Sequence, residues 1–266
     1  MRSGALLVAL SGIWLGSSGC SGLADPGSLE WITVEEDGFA VSVTELDRGL
    51  IAVVSQWTAT GRSEVQAFFG RPYLLEYTVR VFPDRASLTA YWADVWRAAG
   101  LDQGCATVAA ARRQEVTLLS PAAWAEGCGK APEAGRVSAV LTHELVHVLH
   151  EQWNPNLGQV AYAMPWFVEG LAVYVSGQLR REYESAVREL VVSGYAPTRL
   201  ADLWEGTLRY GVAGSVVQHI DRMIGRSALA SLLEAAVEAE VVAATGQGEA
   251  ELLAGWRASV LAEAAR

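Results

Sequence analysis

Hydrophobic positions fall in short β-branched runs over the first half of the chain and recur at helical spacing over the second. Residues 31–34 and 39–44 carry Val, Ile, Thr and aromatic side chains on either side of Glu36-Asp37-Gly38, the pattern of two strands joined by a tight turn. From 47 to 69, Leu50, Val53, Val54, Trp57, Val65, Phe68 and Phe69 follow a helical period interrupted near Gly61, which predicts one helix or two. Residues 77–82 form another β run closed by Pro83-Asp84, 88–98 an aromatic-rich helix capped by Asp84 or Ser87, and 116–119 a strand closed by Ser120-Pro121. From Arg136 onward strand signals fade, and helices are expected over 136–152, 165–192, 207–224, 226–242 and 248–265. The expected fold class is therefore α+β: a small mixed α/β lobe with a few-stranded sheet over 29–135, then a mainly helical lobe over 136–266.

Ahead of this body, Arg2, an apolar run from 5 to 15 and the small residues 16–19 have the three-part layout of a secretory leader over 1–19. Cys20 follows directly, before Ser21-Gly22, and resembles the bacterial lipoprotein cleavage site at which the cysteine becomes the lipid-bearing first residue. Ser17 departs from that pattern, standing where Leu is usual. The chain is accordingly expected to be exported and lipid-anchored to the bacterial envelope, at the outer membrane or periplasm, or else secreted. Residues 20–28 would be the tether, and that lipid the only tie to a membrane. The remaining cysteines, Cys105 and Cys128, lie beside Gly104, Gly127 and Gly129 and are expected to form a disulfide in an oxidising compartment. Closing that loop contributes about 3 kcal/mol by the chain-entropy argument.

Composition narrows the function classes. The 266 residues carry 20 basic against 30 acidic side chains, a net charge of −10, without a basic block, so a nucleic-acid backbone is repelled. Lys130 is the single lysine; a phosphate-binding P-loop is absent and Schiff-base chemistry would hang on one residue in a loop. A chain this long buries enough surface to fold without a metal, so any metal is there for function. The ten tryptophans are spread along the chain and are expected to serve packing, rather than sugar stacking.

The chemistry gathers at His143-Glu144-Leu145-Val146-His147, inside the helix expected over 136–152. At 100° per residue the two histidines lie within about 40° of one another, while Leu141, Leu145 and Val148 occupy the opposite face. Both imidazoles can therefore grip one ion, with Glu144 beside them as general base. A catalytic zinc needs a third protein ligand and an open position. His150, one turn further along a straight helix, would have to reach back by about 5 Å. Glu169 is the better candidate: it sits in Pro165-Trp166-Phe167-Val168-Glu169-Gly170-Leu171-Ala172, where Pro165 opens a helix and a lone carboxylate among apolar neighbours calls for a positive partner. His219, between Val217 and Ile220, reads as a structural histidine. Glu151, Asp202 and Glu205 are candidates to orient the imidazoles.

His143-Glu144-x-x-His147 followed by Trp166-x-x-Glu169-Gly170-Leu171-Ala172 resembles the gluzincin metallopeptidases, especially the small bacterial peptidase MA-like domains; Trp153, where a metzincin places its third ligand, sets that family aside. The resemblance extends from about Tyr77 through 81–83, the strand at 116–119 and Tyr210-Gly211-Val212-Ala213-Gly214-Ser215. It departs at Val168, where many gluzincins carry Asn. It also lacks a motif for binding a substrate amine. The resemblance implies a zincin-like fold with the motif helix between the lobes, one zinc ion on His143, His147 and Glu169, and a peptide or protein substrate. Peptide hydrolysis would then use Glu144 as base and Tyr210 to stabilise the oxyanion. The alternative is a zinc-binding lipoprotein of the same architecture that acts as a binding module without catalysis.

Overall fold

The computed structural model describes residues 29–102, 104–129 and 131–264; the expected leader, Cys20 and the whole tether lie outside the described residues. Strands β1 (Trp31–Glu36) and β2 (Phe39–Thr44) pair antiparallel across Asp37-Gly38, where the sequence calls for a turn. Every residue of β2 is buried, which places it inside the sheet. A 3₁₀ turn, Glu45–Leu50, leads into helix α1 (Ile51–Phe69), and this crossover brings β3 (Tyr77–Phe82) in parallel to β2. Helix α2 (Arg85–Asp94) starts at Asp84, whose carboxylate accepts the backbone N–H of Ser87 at 2.7 Å. Strand β4 (Ala109–Arg112) then turns back antiparallel on β5 (Glu115–Leu119), and β5 inserts parallel to β3. The sheet order is β1-β2-β3-β5-β4. The expected disulfide joins Cys105 to Cys128, with Cα atoms 5.6 Å apart, and closes a loop holding β4, β5 and helix α3 (Pro121–Cys128).

Beyond Cys128 the described residues contain only helices and turns. The elements are α4 (Ala134–Trp153), α5 (Leu157–Ala163), α6 (Pro165–Val175), α7 (Glu184–Val192), α8 (Arg209–Ile224), α9 (Arg226–Ser231), α10 (Glu238–Ala244) and α11 (Glu249–Ala264). The fold is thus a mixed α/β part with a five-stranded sheet followed by a mainly helical part, the class that the periodicities predict. Leu141, Leu145 and Val148 of α4 are fully buried in a core shared with Val79, Val81, Val116 and Leu118 of the sheet. Trp92, Trp166 and Trp256 are fully buried as well.

Of the one helix or two expected over 47–69, one is observed: α1 runs unbroken through Gly61, a contact point where a Cβ would lie 2.6 Å from Thr142 Oγ1 on α4. Two other expectations about helices are corrected. The helix expected over 226–242 divides into α9, a 3₁₀ turn at Leu232–Glu234 and α10. The continuous helix expected over 165–192 is interrupted. Helix α6 stops at Val175, Gly177 adopts φ +74°, and a π-helical turn over Leu179–Tyr183 precedes α7.

The crossing of α6 and α8 is as close as backbones permit. A Cβ on Gly170 would lie 2.7 Å from the carbonyl oxygen of Ala213, and one on Gly214 2.7 Å from Val173 Cγ1. Gly170 directly follows Glu169, so this contact fixes where that carboxylate stands. In an open helix Gly→Ala stabilises by about 1 kcal/mol. Here Gly170→Ala should destabilise by about 1–3 kcal/mol, measured by chemical denaturation, because the blocking atoms are backbone. A gain in stability would contradict the close crossing.

Candidate metal centre

Helix α4 holds its position through its buried stripe and through specific polar ties. Tyr73 Oη donates to the carbonyl of Leu145, in the middle of the motif, at 2.9 Å. Near its C-terminal end the buried Gln152 accepts the N–H groups of Leu74 and Leu75 and donates to the carbonyls of Leu75 and Arg113. An amide used in all of these directions leaves the helix little freedom to rotate or slide. Its other face therefore presents His143 and His147 in fixed register. Helix α6, packed on both α4 and α8, brings in Glu169.

His143 Nε2 lies 3.1 Å from His147 Nε2 and 3.2 Å from Glu169 Oε2, and His147 Nε2 lies 3.5 Å from the same carboxylate oxygen. Zinc bonds of 2.0–2.1 Å in tetrahedral geometry separate neighbouring ligand atoms by about 3.3 Å. The triangle fits a tetrahedral zinc with one vertex left over. Its donors are two imidazole nitrogens and a carboxylate, the set that zinc favours, and these three residues form a group that could hold a metal ion.

The charges around the triangle are consistent with this. Burial pushes the Glu169 carboxyl up, but His147 and His143 outweigh it and hold the group well below the usual carboxylate range, ionised and ready to ligate. Glu144 is buried beside the cluster; desolvation lifts its carboxyl to about 7, with His143 opposing and Glu169 adding to the rise. That proton affinity suits a group that must both take and release a proton near neutrality.

Tyr210, near the start of α8, has its ring centroid 6.5 Å from that of His143 and stands edge-on to Trp204 at 4.8 Å. Burial and then the Glu169 charge push its phenol upward, which keeps the hydroxyl protonated as a donor. His150 stays outside the triangle. It is completely buried, neither ring nitrogen has a well-formed hydrogen bond among the described residues, and burial together with His147, opposed by the backbone of Leu233, depresses it to about 3. His219 sits inside α8 with Nδ1 3.1 Å from Ser259 Oγ, a structural placement as its neighbours suggest.

Of the candidates for orienting the imidazoles, Asp202 is corrected: its carboxylate is taken by Arg199 at 2.6 Å, while Glu151 feels the charges of Arg112, Arg113 and His147. The side chain on His143 Nδ1 is instead Gln178, with Oε1 at 2.8 Å. A signal existed: Ser176-Gly177 is a helix-stopping pair just ahead of it.

Among solved structures, the fold is similar to a mutant two-domain M1 zinc metallopeptidase crystallised with L-arginine, at a TM-score of 0.47 and 17% identity. The match covers 87% of this chain and 51% of that one, so this chain spans about half the length of that metallopeptidase. No protein-family model and no curated protein matches the sequence.

Two outcomes are expected at this centre. Protein purified without chelator should carry about one zinc per chain by elemental analysis, since the described residues hold one such triangle. Glu169→Ala and His143→Ala should each weaken zinc binding by more than the 10–100-fold that loss of an outer partner costs. Full zinc retention in Glu169→Ala would remove it from the ligand set.

Proposed function

We propose that this chain is a zinc-dependent peptidase. The observation that carries it is the 3.1–3.5 Å triangle of His143, His147 and Glu169, with a buried carboxyl group, Glu144, next to it. A zinc ion held there supplies Lewis acidity, polarising a carbonyl and lowering the pKa of water toward 7. The chain's own groups supply the rest. A Glu144 carboxylate oxygen takes the proton of the attacking water and returns it to the departing amine nitrogen. Tyr210 keeps its proton and donates from Oη to the carbonyl oxygen as negative charge builds on it. Glu169 stays ionised throughout and carries no proton.

The substrate class is a peptide or protein. We further propose that the chain is exported and held at the cell envelope by a lipid on Cys20, which the leader-like pattern over 1–19 supports. Among the described residues no helix is long and apolar enough to cross a membrane.

Glu144→Gln should lower cleavage of a broad peptide library by about 10²–10⁴-fold while the zinc content stays at the wild-type level. Tyr210→Phe should lower kcat by about 10²–10³-fold, also with zinc retained. A wild-type protein that binds zinc and cleaves nothing in the library would instead identify a binding module. Cys20→Ser should move the protein from the membrane fraction to the released fraction, and unchanged fractionation would end the lipid-anchor proposal.

A further inference from the structure

We infer that Gln178 is the positioning residue of the metal centre: it holds His143 in the tautomer that leaves Nε2 free for the ion, and it does so without adding charge. This rests on the zinc site proposed above. His143 turns Nε2 toward His147 and Glu169 and Nδ1 toward Gln178 Oε1, 2.8 Å away. An amide oxygen can only accept, so Nδ1 must carry the hydrogen, and a neutral imidazole with hydrogen on Nδ1 has its lone pair on Nε2. Turned the other way, the amide would donate to Nδ1 and drive the hydrogen onto Nε2, into the middle of the triangle. Gln178 is buried, and its Oε1 also lies 3.2 Å from Ser176 Oγ, whose single hydrogen has the carbonyl of Val173 within reach at 3.3 Å as well.

Helical geometry alone would not bring Gln178 here. It lies nine residues after Glu169, so in an unbroken α-helix it would stand on the opposite side, about 180° away and about 13 Å along the axis. Two residues on opposite sides of one helix cannot both meet His143. The stop at Val175 and the left-handed Gly177 at φ +74°, both between Glu169 and Gln178, break that geometry. The break in the helix is thus the device that lets one chain segment supply both a ligand and the partner of another ligand.

The partner is neutral where a carboxylate would also have served. Two neutral imidazoles and one carboxylate around a divalent ion leave the centre at +1, and a carboxylate on Nδ1 would cancel that charge and make the imidazole more basic. Gln178 fixes the ring and leaves the positive charge in place.

The experiment is zinc titration of the full, chelator-stripped chain against a competing chromophoric chelator, with ¹⁵N spectra of the metal-free histidines in mildly alkaline buffer. Wild type should show His143 with hydrogen on Nδ1. Gln178→Ala should bind zinc about 10–100-fold more weakly and lose that tautomer preference. Gln178→Glu, which keeps the acceptor, should bind at least as tightly as wild type, a rescue that a merely structural role would not produce. Gly177→Ala, strained at positive φ, should weaken zinc binding in the same direction as Gln178→Ala. Wild-type affinity in Gln178→Ala, or hydrogen on Nε2 in the wild-type spectrum, overturns this inference alone. A wild type that takes up no zinc overturns the metal site and this inference with it. Should Gln178→Ala fail to fold, Gln178→Glu decides, and binding weaker than wild type counts against the inference.

Discussion

Three electron-pair donors stand within 3.5 Å of one another at the junction of α4 and α6, and that crowding is the constraint on which the structure turns. With the Nδ1 hydrogen of His143 committed to Gln178, its Nε2 can only accept, and the carboxylate of Glu169 can only accept as well. Such a set is unfavourable unless a cation sits among it. A proton on His147 could bridge part of the triangle, but a divalent ion would satisfy all three lone pairs together.

The surroundings are built to keep these donors from separating. Helix α4 is locked by Tyr73 at its middle and by Gln152 near its end, and each tie reaches loop residues before β3 or between β4 and β5. Helix α6 is pressed onto α8 at Gly170, the residue after the ligand, so the carboxylate cannot retreat without parting two backbones. The sheet takes part as a floor: fully buried Val79, Val81, Val116 and Leu118 share the core with the apolar stripe of α4. Packing energy is thereby spent on holding like groups together, and the metal centre inherits its rigidity from the core.

Much of this was visible in the chain as letters, and the parts that were not have physical reasons. β1, β2, β3 and β5 are β-branched or aromatic runs bounded by turn residues, so local chemistry and final structure agree. β4 is three alanines and an arginine, with no strand propensity; it exists because β5 offers it a backbone to pair with, which is a tertiary fact. The three candidate ligands stood out because burying a lone carboxylate and two clustered histidines is costly without a shared partner, and they do lie together. Gln178 did not, since its role depends on a backbone reversal and hydrophobic periodicity runs through 165–192 as if none existed. Gly61 shows the opposite case, a residue that looks like a breaker and is in fact a seat for Thr142.

The exposures of the three ligand side chains are uneven: 10% for His143, 14% for His147 and 26% for Glu169. The carboxylate's side is thus the most open side of the cluster. Ion exchange would run through that opening, with Glu169 the first donor to meet an incoming hydrated cation and the last to let a departing one go.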